Sequence, residues 1–107
     1  MVKSLTPEEF VKRRADGVPM TLLDVREDWE TQLAPVPAEI LHIPMAQVAA
    51  RLGEIDRTRE TVVICRSGGR SLQVATYLDA QGFASVFNLT GGILAWSRDL
   101  DPNIPQY

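Results

Sequence analysis

The chain has one cysteine and one histidine among its 107 residues. A single cysteine excludes an internal disulfide, and a free thiol suits a reducing compartment, so a cytoplasmic setting is expected. One Cys and one His give no paired ligand spacing, so no metal site is expected. Long apolar runs are also missing, which excludes a membrane-spanning helix. Residues Met1 to Val11 are polar and contain no apolar stretch of signal-peptide type. Positive charge is not in excess. The net charge of −3 leaves no electrostatic case for binding nucleic acid or an anionic membrane. What remains is ordinary for a globular domain, with 45% hydrophobic and 23% charged residues. The length suits one domain, with enough chain to bury a core without staples.

The lone cysteine stands at the start of Cys65-Arg66-Ser67-Gly68-Gly69-Arg70-Ser71. A strand-like run, Thr61-Val62-Val63-Ile64, leads into it, and a helix-like stretch, Ser71 to Gln81, leaves it. A free cysteine titrates near pH ~8.5, and the thiolate is its reactive form. Unpaired amides of a first helical turn, the helix dipole and two arginines all favour that thiolate. Gly68 and Gly69 accept positive φ at little cost, which lets successive N–H groups converge into an anion-binding nest. Ser67 and Ser71 are hydrogen-bond donors to a bound anion, and Ser71 doubles as a helix cap. A cysteine used only as a small core hydrophobe would not be followed by so polar a run. The loop predicts a nucleophile built to handle an anionic substrate.

The remaining chain supplies a frame. Thr6, Pro7 and Glu9 form a helix start with a capping box, and that helix runs to about Asp16 before Gly17. Met20 to Asp24 reads as a buried strand, Thr31 to Glu39 as irregular, and Leu41 to Ile43 as a brief strand. Ala46 to Leu52 reads as helical, stopped by Gly53, and Arg57 to Glu60 as a polar turn. Helix Ser71 to Gln81 ends at Gly82 and places Leu72, Ala75 and Leu78 on one face. Ala84 to Asn88 reads as a strand, Gly92 to Asp99 as a last helix, and 101–107 as an extended proline-rich end. Short apolar strands alternating with helices predict an α/β fold with a mostly parallel sheet of about five strands, covered by helices on both faces. Asp24 and Arg26 should lie on the same sheet edge as the Cys65 loop, as a structural ion pair or cap more readily than as an orienting charge. His42 reads as a structural histidine beside a proline, with a base for Cys65 as the alternative. Trp29 and Trp96 read as packing residues, and Glu27, Asp28 and Glu30 as a solvated acidic turn or the first turn of a short helix.

Cys65-Arg66-x-Gly68-x-Arg70-Ser71 resembles the active loop of rhodanese-type sulfurtransferases. Leu22-Leu23-Asp24-Val25-Arg26-Glu27 resembles the early strand and Asp-Val-Arg-Glu signature of that family, His42-Ile43-Pro44-Met45 the segment that follows, and Leu89-Thr90-Gly91-Gly92-Ile93-Leu94-Ala95-Trp96 its Gly-Gly-x-x-x-Trp ending. These anchors cover nearly the whole chain in order. Between Thr31 and Leu41 the sequence departs from the family, with Pro-Val-Pro-Ala-Glu-Ile-Leu where many members have Gly-His-Ile-x-Gly-Ala. The resemblance implies a single rhodanese-like domain over 1–107. It implies a Cys65 persulfide that carries sulfur from an anionic donor such as thiosulfate to a thiophilic acceptor, cyanide or a thiol, with no cofactor. Arg66, Ser67, Gly68, Gly69, Arg70 and Ser71 would bind the donor. The tail Asp101 to Tyr107 resembles the ends of rhodanese domains fused to enzymes that thiolate sulfur carriers, which implies a protein sulfur carrier as an acceptor. Two other readings share the thiolate. One is a phosphatase or arsenate reductase; four residues separate Cys65 from Arg70 here, where phosphatases of this kind have five. The other is a non-catalytic module that carries sulfur or senses oxidation.

Overall fold

The computed structural model describes all 107 residues. Five strands form one parallel sheet: β1 (Lys3–Leu5), β2 (Met20–Asp24), β3 (Leu41–His42), β4 (Glu60–Ile64) and β5 (Val86–Leu89), in the order β1-β5-β4-β2-β3. Four α-helices, α1 (Pro7–Ala15), α2 (Asp28–Leu33), α3 (Gly69–Ala80) and α4 (Gly92–Asp99), complete the frame with two 3-10 turns, Met45–Gln47 and Leu52–Glu54. The expected α/β class and five-stranded parallel sheet are both present.

Side chains alternate across the sheet, and each face carries its own core. Leu22, Val62, Ile64, Phe87 and Leu89 pack with Phe10 of α1 and with Ile93 and Trp96 of α4. Leu23, Val63 and Val86 pack on the other face with Val74, Ala75 and Leu78 of α3. Cys65 continues the β4 alternation, so its side chain falls on the α3 face. The start of α1 is as expected: Thr6 Oγ1 accepts from the Glu9 amide at 3.1 Å, and Glu9 Oε1 accepts from the Thr6 amide at 2.8 Å.

Several expectations need correction. Lys3–Leu5 is a strand, ahead of the helix start, because it pairs with β5 residues 84 positions on, which leaves no local trace. Residues 46–52 do not form an α-helix; turns at 48–51 link the two 3-10 turns there. Val48 is their only fully buried side chain, and without an apolar stripe a helix that short is not held. Thr31–Leu33 are helical, as the end of α2. α3 starts at Gly69, two residues earlier than expected, and its buried stripe is Ser71, Val74, Ala75 and Leu78. Leu72 lies off that stripe and is 48% exposed. Trp96 is buried as expected, but Trp29 is 60% exposed.

The sheet order places the functional loop. The chain leaves β2 for β3 on one side and leaves β4 for β5 on the other. β2 and β4 are adjacent, with Asp24 paired to Ile64 at their C-terminal ends. Connections that diverge from neighbouring parallel strands open a crevice at that point, the usual ligand position in such sheets.

Candidate active site

Cys65 follows β4 directly and is 1% exposed. Its loop turns into α3 through Gly68, which has φ +110° and caps the helix. Of the two glycines, only Gly68 uses the left-handed region. Gly69 is helical with open space around it, so the expected need for two permissive residues is corrected to one.

Three carbonyls of the loop are taken by hydrogen-bond partners outside it. Cys65 O accepts from the Ile93 amide at 2.9 Å and Arg66 O from the Leu94 amide at 3.1 Å. Gly68 O accepts from the Leu72 amide at 3.2 Å and from Asn88 Nδ2 at 3.3 Å. The first turn of α4 therefore docks on the back of the loop. Gly92 makes this contact feasible: a Cβ there would stand 2.5 Å from both the Cys65 and Arg66 carbonyl oxygens.

With the carbonyls held outside, the amides face the sulfur. The Gly68 N–H donates to Cys65 Sγ at 3.1 Å, and Ser71 Oγ lies 3.2 Å from Sγ. Ser71 Oγ is also 2.5 Å from Asn88 Oδ1. A hydroxyl has one proton. With the thiol protonated, S–H donates to Ser71 and Ser71 donates to Asn88; with the thiolate, the Ser71 proton turns to sulfur. Burial pushes the thiol pKa up. The Ser71 hydroxyl and the amides of Ser71, Gly68 and Ser67 outweigh burial, and the net shift is downward.

The arginines are placed differently from each other. Both Nη atoms of Arg70 donate to Glu30, each at 2.7 Å. Glu30 is 3% exposed and also accepts from the Glu27 amide at 2.8 Å and the Tyr107 hydroxyl at 3.0 Å. Arg70 above all, against the opposing effect of burial, holds the Glu30 carboxyl at about 2. Glu30 thus departs from the expected solvated turn, while Glu27 caps α2 and Asp28 stays exposed. Arg66 is exposed; its Nε donates to the Tyr107 main-chain oxygen, and its guanidinium lies over the Tyr107 ring.

Below this layer, Asp24 and Arg26 are both 0% exposed. Arg26 Nε and Nη2 donate to the Asp24 carboxylate, with Nη2 at 2.8 Å, and Nη2 also reaches the Ala34 carbonyl at 2.9 Å. This is the structural ion pair favoured from the sequence. His42 Nε2 lies 2.7 Å from the Arg26 carbonyl oxygen, so its ring braces the turn after β2 and does not pair with Cys65. The structure gathers Cys65, Arg66, Ser67, Gly68, Gly69, Arg70 and Ser71 at the crevice. Arg70 is engaged by the protein, and the Ser67 side chain is exposed with no hydrogen-bond partner.

Sequence reasoning missed Glu30, Asn88 and Tyr107. Asn88 carried a signal, as the polar residue within the apolar run Val86-Phe87-Asn88-Leu89. Glu30 and Tyr107 carried none, because their partners come from distant segments. No group of three or more His, Cys, Asp or Glu side chains is arranged to hold a metal, and no helix is long and apolar enough to cross a membrane.

The chain is similar in sequence and fold to known proteins. A sulfurtransferase of Allochromatium vinosum is 40% identical over 98 residues, covering 92% of this chain and 91% of that protein. The rhodanese-like/PpiC domain-containing protein 12 of Arabidopsis thaliana is 41% identical over 113 residues; the match covers 99% of this chain, which spans 38% of that longer protein. The crystal structure of a rhodanese-like domain protein from Staphylococcus aureus superposes with a TM-score of 0.83 at 29% identity, covering 99% of each chain. The family model of the rhodanese-like domain matches residues 6–99. By its strand order, its loop after β4 and this match over most of its length, the chain belongs to the rhodanese-like domain family.

Proposed function

We propose that this protein is a sulfurtransferase that works through a persulfide on Cys65. The observation that carries the reading is the environment of Sγ: one amide at 3.1 Å, one hydroxyl at 3.2 Å and a pKa held below that of an ordinary thiol. The similarity to proteins named sulfurtransferases supports the same chemistry.

With thiosulfate as donor, the Cys65 thiolate attacks the outer sulfur. A Cys65 S–S bond forms as the donor's S–S bond breaks, and its electron pair leaves on sulfite. The attacking thiolate carries no proton, so this step needs no general base. The product is an anionic persulfide. Its charge is met by the inward amides and the Ser71 hydroxyl, which are fixed before the reaction begins. An acceptor then attacks the outer sulfur and regenerates the thiolate. Cyanide gives thiocyanate; in the cell the acceptor is a thiol or a protein sulfur carrier. This covalent route splits one transfer into two steps.

The size of the loop favours sulfur over phosphate. Cys65 is 1% exposed, and its sulfur already makes close contact with the Gly68 amide. The loop is also one residue shorter between Cys65 and Arg70 than that of the cysteine phosphatases, which supports a smaller sulfur centre over a phosphoryl group. We assign the protein to a reducing, cytoplasmic setting, which keeps a nucleophilic thiol in its active form.

Intact mass spectrometry before and after thiosulfate, with Cys65→Ser in parallel, tests the proposal. A gain of one sulfur atom, removed by cyanide as thiocyanate and absent in Cys65→Ser, is the expected result. No gain from a thiol that still alkylates normally would overturn it and turn attention to phosphate esters and arsenate.

A further inference from the structure

We infer that Tyr107 is a positioning residue for sulfur transfer: it holds Arg66 so that its free guanidinium nitrogens meet the anionic end of the donor. The inference rests on the sulfurtransferase reading and goes beyond it, because it assigns the two loop arginines different tasks and gives one of them a support.

Arg70 cannot serve as the main donor-binding cation. Both of its Nη atoms are spent on Glu30, so its charge is matched and its fork is filled. Arg66 is the opposite case. It follows the nucleophile in sequence and is exposed. Its Nε is bound by the Tyr107 main-chain oxygen, while its Nη1 and Nη2 have no partner in the protein. A guanidinium with its Nη pair open presents the geometry that grips an oxyanion with two parallel bonds.

An exposed arginine next to a glycine-rich loop would ordinarily sample many rotamers. Tyr107 restricts this one. The Arg66 guanidinium carbon lies 5.3 Å from the centre of the Tyr107 ring, within cation–π range. Tyr107 is itself anchored at three points. Its hydroxyl accepts from Arg26 Nη1 at 3.1 Å and donates to Glu30 Oε1 at 3.0 Å. Its ring meets the edge of Trp29, with centroids 5.8 Å apart. The fully buried Asp24–Arg26 pair thereby fixes, through one tyrosine, the direction of an exposed cation beside Cys65. The exposed Trp29, unexplained as a core residue, acts as the outer wall of this support.

The test compares an anionic and a neutral donor. Thiosulfate and dimethyl trisulfide, whose central sulfur bonds to the thiolate as methanethiolate leaves and becomes the persulfide when that methanethiolate takes the remaining methylthio group as dimethyl disulfide, are given to wild type, Tyr107→Ala, Tyr107→Phe, Arg66→Ala and the double variant Arg66→Ala/Tyr107→Ala, with cyanide as acceptor. Tyr107→Ala is expected to raise KM for thiosulfate about tenfold with kcat little changed, the pattern of lost binding to a charged group. Its KM for the trisulfide is expected to stay within about twofold, which also shows that the variant is folded. Tyr107→Phe keeps the ring and the main-chain oxygen and is expected to restore most of the thiosulfate affinity. In the Arg66→Ala background the tyrosine should add nothing further, since its effect runs through that arginine. Equal losses on both donors, or an undiminished Tyr107 effect without Arg66, would overturn the inference and leave the sulfurtransferase reading intact. A wild type that takes no sulfur from either donor would sink both.

Discussion

Glu30 and Arg70 meet as a two-pronged pair, each Nη of the arginine 2.7 Å from one oxygen of the carboxylate. The pair joins the helix after β2 to the first turn of the helix after β4, across the crevice where the two connections diverge. Glu30 is buried, and a buried carboxylate persists only when its charge is matched and its oxygens are hydrogen-bonded. Four donors meet that condition here: two from Arg70, the Glu27 amide and the Tyr107 hydroxyl.

This pair makes stability depend on pH in a defined window. The Glu30 carboxyl is held at about 2, below its ordinary 4.5. A carboxylate whose folded pKa is depressed stabilises the fold above its unfolded pKa and loses that contribution as pH falls through the folded one. The contribution is therefore complete above about pH 4.5 and fades towards pH 2, with an upper size of about 3–4 kcal/mol at about 1.4 kcal/mol per pKa unit. Urea unfolding of wild type and Glu30→Gln at pH 7, 4, 3 and 2.5 checks this. The stability gap between the two should narrow steadily across the acid range. A constant gap would show that the carboxylate charge is not what Glu30 contributes.

The Asp24–Arg26 pair predicts a different response. Arg26→Met removes one partner and leaves Asp24 at 0% exposure without its counter-charge. Leaving one member of a buried pair alone costs about 3–5 kcal/mol. The measurement is the urea midpoint at pH 7. The loss should shrink when Asp24→Asn is added, because the orphaned charge is then gone.

At Cys65, Ser71→Ala removes the hydroxyl that turns to the thiolate. A hydrogen bond to a charged group is worth about 1.5–3 kcal/mol, and its loss raises the thiol pKa. Iodoacetamide alkylation followed against pH gives the midpoint. Wild type should titrate below the ~8.5 of a free cysteine, and Ser71→Ala should titrate higher than wild type. An unchanged midpoint would mean that the loop amides alone hold the thiolate.

The division between what the residues disclosed and what they hid follows from distance along the chain. Cys65 with its loop was legible because strand, glycine, arginine and helix lie next to one another, and local conformation decides their geometry. The α3 face was half legible. Ala75 and Leu78 were placed, but the stripe is phased by Ser71 and Val74, and Leu72 was assigned to it wrongly because serine does not register as a buried residue. Glu30 and Tyr107 were illegible for a stronger reason. Nothing in Glu27-Asp28-Trp29-Glu30 distinguishes the buried acid from its exposed neighbours, since the distinction is made by Arg70, 40 residues on. For Arg70 the sequence shows the charge and not the carboxylate that it pairs with.

The glycines give the sharpest contrast in local physics. Gly69 and Gly92 each stand at the first position of a helix, and both look replaceable by alanine on propensity alone. Gly69 has no positive φ and nothing within 4 Å of an added Cβ. Gly69→Ala keeps the amide and restricts the unfolded chain, so stability should hold or rise by about 0.4–1 kcal/mol. Gly92 has φ +60°, and its added Cβ would fall 2.5 Å from the carbonyl oxygens of Cys65 and Arg66. Those atoms are backbone and cannot swing aside. Gly92→Ala must push α4 off the loop and break the bonds from Ile93 and Leu94 that keep its carbonyls outward. A loss of about 2–3 kcal/mol is expected, at the upper end of ordinary single substitutions. The consequence reaches the chemistry as well: once those carbonyls are released, the amides no longer converge on Sγ. Measured below its unfolding midpoint, Gly92→Ala should therefore show a raised thiol pKa and slower sulfur uptake from thiosulfate, while Gly69→Ala shows the thiol pKa of the wild type. A folded Gly92→Ala protein with an unperturbed thiol would show that the loop holds its own shape without α4.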